Sequence, residues 1–391
     1  MAKSKIWLAA CALTVASLAL GALIGGMVTQ KGDFYRYLGI FSDVLTLIRK
    51  DYVEAIGVEY LIEGANRGLL AGLDAQSAFL TREELAEYAR IEQEADAEPG
   101  FDILKAFGYP VVISVYRGSP AEKAGLASGD QIITIDGKST RDLSILQFKK
   151  LMIGREGTEA KLSIVKMKTF SREDLNVSRE KVRHAGYEVI LMNNQIAYLR
   201  IYDLGRLDIE NLADSLKNME KKAAAVLVDL RNSVSGDYRK ASSAASVFIE
   251  KGPVLSVEKR SDAGPRSVEF SRRGFLWKKP AYVLINAGTA GPSEGLAMVL
   301  KEKAAAVLMG EKSYGMGLEQ EMITLEDGSG LILSTSRYMT QDGTAWNRTG
   351  ITPSIEIKSE VAEIEKQMEE QLKKAFDYIS KDRASKIKKA A

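Results

Sequence analysis

Between Gln195 and Met309 the chain alternates short apolar runs with stretches of helical spacing, and no other feature limits its fold as tightly. The runs Ile196 to Ile201, Ala224 to Leu230, Tyr282 to Asn286 and Ala305 to Met309 have strand character. Helical segments fall between them, over Ile209 to Lys222, over Arg239 to Glu250 and after Pro292. Strand and helix alternating in this way make an α/β core. Pro292 closely follows Gly288 and Gly291, a place where the first turn of a helix tolerates proline.

The rest of the chain narrows the class of function. Lys and Arg total 54 against 52 Asp and Glu, so a formal charge of +2 provides no overall field to attract nucleic acid. Lys3 and Lys5 precede an uncharged run from Ile6 to Val28, 23 residues that as a helix would reach about 34 Å, against a hydrocarbon core of about 30 Å. Positive charge on its N-terminal side predicts a signal anchor, with the body exported to the periplasmic side of the cell membrane. Cleavage after Ala19-Leu20-Gly21 is the alternative. A lipoprotein reading of Leu8 to Cys11 is set aside, because the apolar run continues past the cysteine. Cys11 is the only cysteine and His184 the only histidine, so the body has no disulfide, no thiol nucleophile and no His/Cys cluster for zinc. No cofactor and no metal are expected.

From Phe34 to Tyr88 the apolar residues recur at helical spacing, as in Tyr37, Phe41, Val44, Leu45 and Ile48, which predicts a small helical unit. The acidic stretch Glu92 to Glu98, ending in Pro99-Gly100, has linker chemistry. Beyond it, short β-branched runs at Val111–Tyr116, Gln131–Ile135 and Ala160–Val165 are separated by glycine turns, with one helical segment over Ser144–Met152, the order of a small, partly open barrel. At its centre stand Gly118-Ser119-Pro120-Ala121-Glu122-Lys123-Ala124-Gly125-Leu126, then Gly129-Asp130-Gln131-Ile132-Ile133, then Ile135-Asp136-Gly137. These segments resemble the PDZ domain of exported proteases. The resemblance implies that an extended peptide end is added beside a sheet edge, its carboxylate held by the turn Gly100-Phe101-Asp102-Ile103. Phe101 and Ile103 fit the pattern and would line an apolar pocket, whereas Asp102 sets an anion close to the carboxylate and weakens its capture.

Three segments of the core carry a second resemblance. They are Asp229-Leu230-Arg231-Asn232-Ser233-Val234-Ser235-Gly236, Asn286-Ala287-Gly288-Thr289-Ala290-Gly291-Pro292-Ser293-Glu294, and Gly310-Glu311-Lys312-Ser313-Tyr314-Gly315-Met316-Gly317 with Gln320 beyond. Together they resemble the C-terminal processing (tail-specific) peptidases, PDZ-containing serine peptidases, whose core is a crotonase/ClpP-like ββα spiral. The resemblance, added to the readings of the anchor, helical unit, linker and tail, implies domains over 1–30 (anchor), 31–97 (helical unit and linker), 98–170 (PDZ), 171–358 (peptidase-like core) and 359–391 (C-terminal helix and basic tail). It also places the family's nucleophilic serine at Gly291 and its lysine base at Met316. Gln320 matches the glutamine that steadies that lysine, and Ser235 and Gly236 occupy the loop beside the oxyanion site. Glycine has no hydroxyl and methionine no amine, so both reacting groups are missing and no catalytic residue pair is intact.

Other routes to catalysis are poor. Ser293 lies two positions along a helix from Gly291, turned by about 200°. His184 precedes the core, and Gly310-Glu311-Lys312-Ser313 fails as a phosphate loop because glycine is required at position 311. From Val361 the tail carries Ile364, Met368, Leu372, Phe376 and Ile379 at helical spacing, the pattern of a docking helix ending in a basic tail. The expected function is that of an exported, anchored pseudopeptidase that binds unfolded or C-terminal polypeptide segments, an active paralogue or an adaptor. A working serine endopeptidase with a rearranged site is the runner-up, and a purely structural subunit the third reading.

Overall fold

A computed structural model describes residues 34–94, 96–106, 108–116, 118–141, 143–181, 186–192, 195–250, 253–260, 264–269, 276–361 and 364–390. The Ile6–Val28 run, Cys11 and His184 lie outside these residues. No described helix is long and apolar enough to cross a membrane. The chain divides into two compact units, Met1–Leu69 and Leu70–Ala391.

The first unit contains helix α1 (34–51) and most of α2 (Val58–Ala71), as the helical spacing predicts. Phe34, Tyr35, Tyr37, Phe41, Val44 and Leu47 of α1 remain exposed.

The second unit opens with a departure from the expected all-helical segment. Residues Ala78–Leu80 form a strand, β1, all three buried. Its register places Ala78 opposite Ile332 and Leu80 opposite Gly330. Helical spacing on either side masks three residues whose conformation is set by a partner some 250 positions away; α3 (Arg82–Glu94) then resumes the helix. The acidic stretch is not an open linker. Its first residues finish α3, and Ala97 and Glu98 pair in isolated bridges with Gly154 and Glu180.

The PDZ-like module follows: β2 (Phe101–Ala106), β3 (Tyr109–Val115), α4 (Pro120–Lys123), β4 (Gln131–Ile135), β5 (Lys138–Ser139), α5 (Ile145–Met152), β6 (Glu159–Val165) and β7 (Arg172–Ser178). Its antiparallel sheet runs β2-β3-β4-β6-β7, with β5 on β4. The expected boundary at 170 falls short, since β7 pairs with β6 along its whole length and Val177 is fully buried in the same core as Ile132, Leu162 and Phe148. Helix α5 begins where Ser144 Oγ accepts from Gln147 N and the Gln147 side chain accepts from Ser144 N, a reciprocal cap satisfying two backbone donors.

The core comprises β8 (Tyr187–Leu191), β9 (Ile196–Ile201), α6 (Ile209–Glu220), β10 (Ala225–Asp229), α7 (Tyr238–Ala245), β11 (Pro253–Lys259), β12 (Arg266–Glu269), β13 (Ala281–Ile285), α8 (Pro292–Lys303), β14 (Val307–Gly310), β15 (Leu318–Thr324), β16 (Gly330–Met339) and β17 (Ile355–Glu356). One sheet has the order β17-β14-β13-β10-β9-β8 and is parallel except for β8. Strands β10 and β13 are buried at every position, as a sheet covered on both faces requires. A second, antiparallel sheet joins β1, β16, β11 and β12, with β15 on β16. The final helix α9 (Ile364–Ala390) docks as its spacing predicts, with Ala375 and Ile379 fully buried beside Leu227, Tyr282 and Leu284.

Candidate active site and peptide groove

Two loops at the C-terminal ends of β10 and β13 form the centre of the candidate site, the place where a parallel sheet presents ligand-binding loops. The base of the first is set by Asp229, whose carboxylate accepts from Arg200 at 2.8 Å and Arg231 at 2.7 Å. Burial works to raise this carboxyl, but the two guanidinium groups outweigh it and hold it well below the usual range. Asn286 joins the loops: its Oδ1 accepts from Asn232 N and Gly288 N at 3.0 Å each, and its Nδ2 donates to Asn232 Oδ1 at 2.7 Å. Gly288 is required by closeness. A Cβ there would lie 2.3 Å from Asn232 Oδ1 and 2.7 Å from Ile113 Cγ2.

Gly291 and Met316 meet at the end of the second loop. Gly291 is the N-cap of α8 with φ 58° and ψ −125°, and a Cβ built on it would lie 2.8 Å from the methyl carbon of Met316. The backbone at 291 is therefore not helical, and Pro292 follows it as the first residue of the helix. A serine here would meet the positive φ and the Met316 methyl group, not proline's bar on helical geometry.

Glu294 holds the two positions together. It is fully buried; Oε2 accepts from Gly291 N at 2.9 Å and Met316 N at 2.7 Å, and Oε1 from Gly315 N at 2.7 Å and Ser313 Oγ at 2.5 Å. Burial pushes its carboxyl up to about 7, against the opposing pull of these four donors. In the sequence Glu294 stands out only as the last residue of its motif. Its position three residues after a helix N-cap, where a glutamate side chain turns back to the cap N–H, is the signal that could have found the role.

The remaining core candidates are accounted for by contacts. Ser293 is fully buried, its Oγ hydrogen-bonded to Ser233 Oγ at 2.8 Å. Gln320 donates to Ser334 Oγ at 3.1 Å. Gly236, at φ 108°, lies so close to Leu204 and Gly205 that a Cβ would stand 2.7 Å from each. Ser235 Oγ donates across to the PDZ module, reaching Asp102 Oδ1 at 2.5 Å.

The PDZ module is seated on these loops. Leu104 of β2, Val234 and Ala290 form a buried apolar cluster against which Ile113, Tyr314 and Met316 pack, and Tyr314 OH donates to Lys105 O at 2.8 Å. Of the expected groove residues, Gly100 takes a positive φ of 81° and accepts from Tyr116 N, Phe101 meets Phe148 of α5 edge-on at 6.3 Å, and Ile103 is buried. Asp102 is engaged by partners within the protein. It is buried, with Oδ2 accepting from Tyr116 OH at 2.7 Å while Oδ1 takes the Ser235 bond, and burial raises its carboxyl. A cavity of about 110 Å³ opens here between β2 and α5, with Asp203 and Ser235 of the core in its wall.

Comparison with known proteins agrees with this arrangement. Residues 195–357 match peptidase family S41 and residues 111–166 a PDZ domain. The chain is 27% identical over 352 residues to carboxy-terminal processing protease CtpA of Bacillus subtilis (strain 168), covering 89% of this chain and 74% of that protein. It is 28% identical over 341 residues to the carboxy-terminal-processing protease of Bartonella bacilliformis, covering 85% and 78%. A solved photosystem II D1 C-terminal processing protease shares the fold, with a TM-score of 0.65 at 24% identity over 83% of this chain and 88% of that one. The chain thus contains a peptidase family S41 domain and a PDZ domain, and carboxy-terminal processing proteases are among its relatives.

Proposed function

We propose that this family member does not cut peptide bonds but captures polypeptide through its PDZ groove, held on the exported face of a cell membrane by Ile6–Val28. One observation carries the first part: the direction in which a side chain at position 291 would project is occupied by the methyl group of Met316, inside an apolar cluster. Serine attacks only when a neighbouring base takes its proton, and this pair offers neither hydroxyl nor amine. Loss of the nucleophile from a serine hydrolase costs on the order of a million-fold in turnover. A relocated nucleophile at Ser293 is disfavoured by its burial and its bond to Ser233.

The groove supports the second part. Strand β2 ends its sheet, so an extended segment can add beside it, facing α5. Immobilised full-length chain should retain an unfolded polypeptide and release it uncut. Substitution of Phe101 by Ala should weaken retention several-fold, and unchanged retention would remove the groove from the account.

A further inference from the structure

The groove differs at one end from a site built to hold a terminal carboxylate. A strand added antiparallel to β2 ends its C-terminus beside Phe101 and Asp102, where the cavity wall includes Glu98, Asp102 and Asp203 and a single cation, Lys149. Arg206 pairs with Glu98 and with Asp203, and even with it included the carboxylates outnumber the cations three to two. One of the three, Asp203, comes from the core, as does Ser235, which fixes Asp102 at 2.5 Å. The PDZ domain and the core thus build this end jointly. Apolar side chains of Phe101, Ile103, Phe148 and Met152 line the rest of the cavity.

On the reading that the groove captures polypeptide, we propose that it selects a segment whose apolar side chain fills the cavity while the backbone beside it is a neutral amide or carries a basic side chain, and that it discriminates against a free terminal carboxylate. A carboxylate entering here would approach like charges in a partly buried site, where the repulsion is little screened. Burial is the main cause that raises the Glu98 carboxyl, Arg206 opposes it, and Asp102 and Asp203 add smaller upward contributions. An amide end meets no such repulsion, and an ammonium or guanidinium is attracted.

The test uses full-length chain and one apolar-ended decapeptide in three forms: free acid, C-terminal amide, and amide with one lysine appended. Fluorescence anisotropy should show the amide binding about tenfold more tightly than the acid, with the lysine form at least equal to the amide. In Asp102→Asn, and separately in Asp203→Asn, the gap between amide and acid should narrow several-fold. The wild-type series stands without either variant should one fail to fold. Equal or tighter binding of the free acid would overturn the selectivity while leaving capture intact, whereas no binding of any form would overturn capture as well.

Discussion

Glu294 shows how a single residue couples two loops. Because its folded-state carboxyl is raised to about 7 while an unfolded one sits near 4.5, the folded chain binds the extra proton between those values. The stability this contributes is fully present below about pH 4.5 and is lost as pH rises through about 7, a change on the order of 3 kcal/mol. Glu294→Gln, which cannot titrate, should flatten that part of the profile; urea midpoints at pH 5 and pH 8 measure it, and parallel profiles for the two proteins would contradict the assignment. Residues of this kind were only partly legible in the sequence. The pairing of Gly291 with Met316 followed from the resemblance to the peptidase motifs, but the Asp102–Ser235 bond joins positions in separate domains and leaves no local pattern. The sequence put an anion at the groove and left open which way it turned.

At the scale of elements, the PDZ strand β2 acts as both groove wall and cover. Leu104 is 2% exposed between Val234 and Ala290, and truncating such a residue removes packing and leaves a cavity. Leu104→Ala should therefore lower stability by about 2–5 kcal/mol, read as a fall in the urea midpoint at unchanged slope. A change below about 0.5 kcal/mol would mean that β2 is not firmly packed on the loops. Elements with strong local signals were the ones the sequence revealed: the buried strands β9, β10, β13 and β14, the capped helix α5 and the amphipathic α9. Strands β11, β12, β15 and β16 were not found, because half-exposed strands carry charges such as Glu258, Glu319 and Arg337 and take their register from distant partners. β1, three buried apolar residues between two helices, was hidden because its partner too is distant in sequence.

Over the whole molecule, the two positions that lack the family's reacting groups meet where the PDZ module is seated. Val234 and Met316 pack in the apolar cluster with Leu104, Ser235 bonds Asp102, and Gly291 faces Met316. Side chains at and beside the position of the family's lysine pack here against Leu104 of the PDZ domain. Restoring Gly291→Ser with Met316→Lys supplies a hydroxyl and an amine, but the serine must adopt φ near 58° and the lysine must enter an apolar cluster. Little activity should return, even with Ser235→Gly added to free the loop. The most direct test is digestion of an unfolded protein by full-length wild type, beside the double and triple variants and Ser293→Ala, followed by mass spectrometry for new termini. The account predicts no new termini from the wild type. Wild-type cleavage that persists in purified protein would contradict it, and loss of that cleavage in Ser293→Ala would identify the serine responsible.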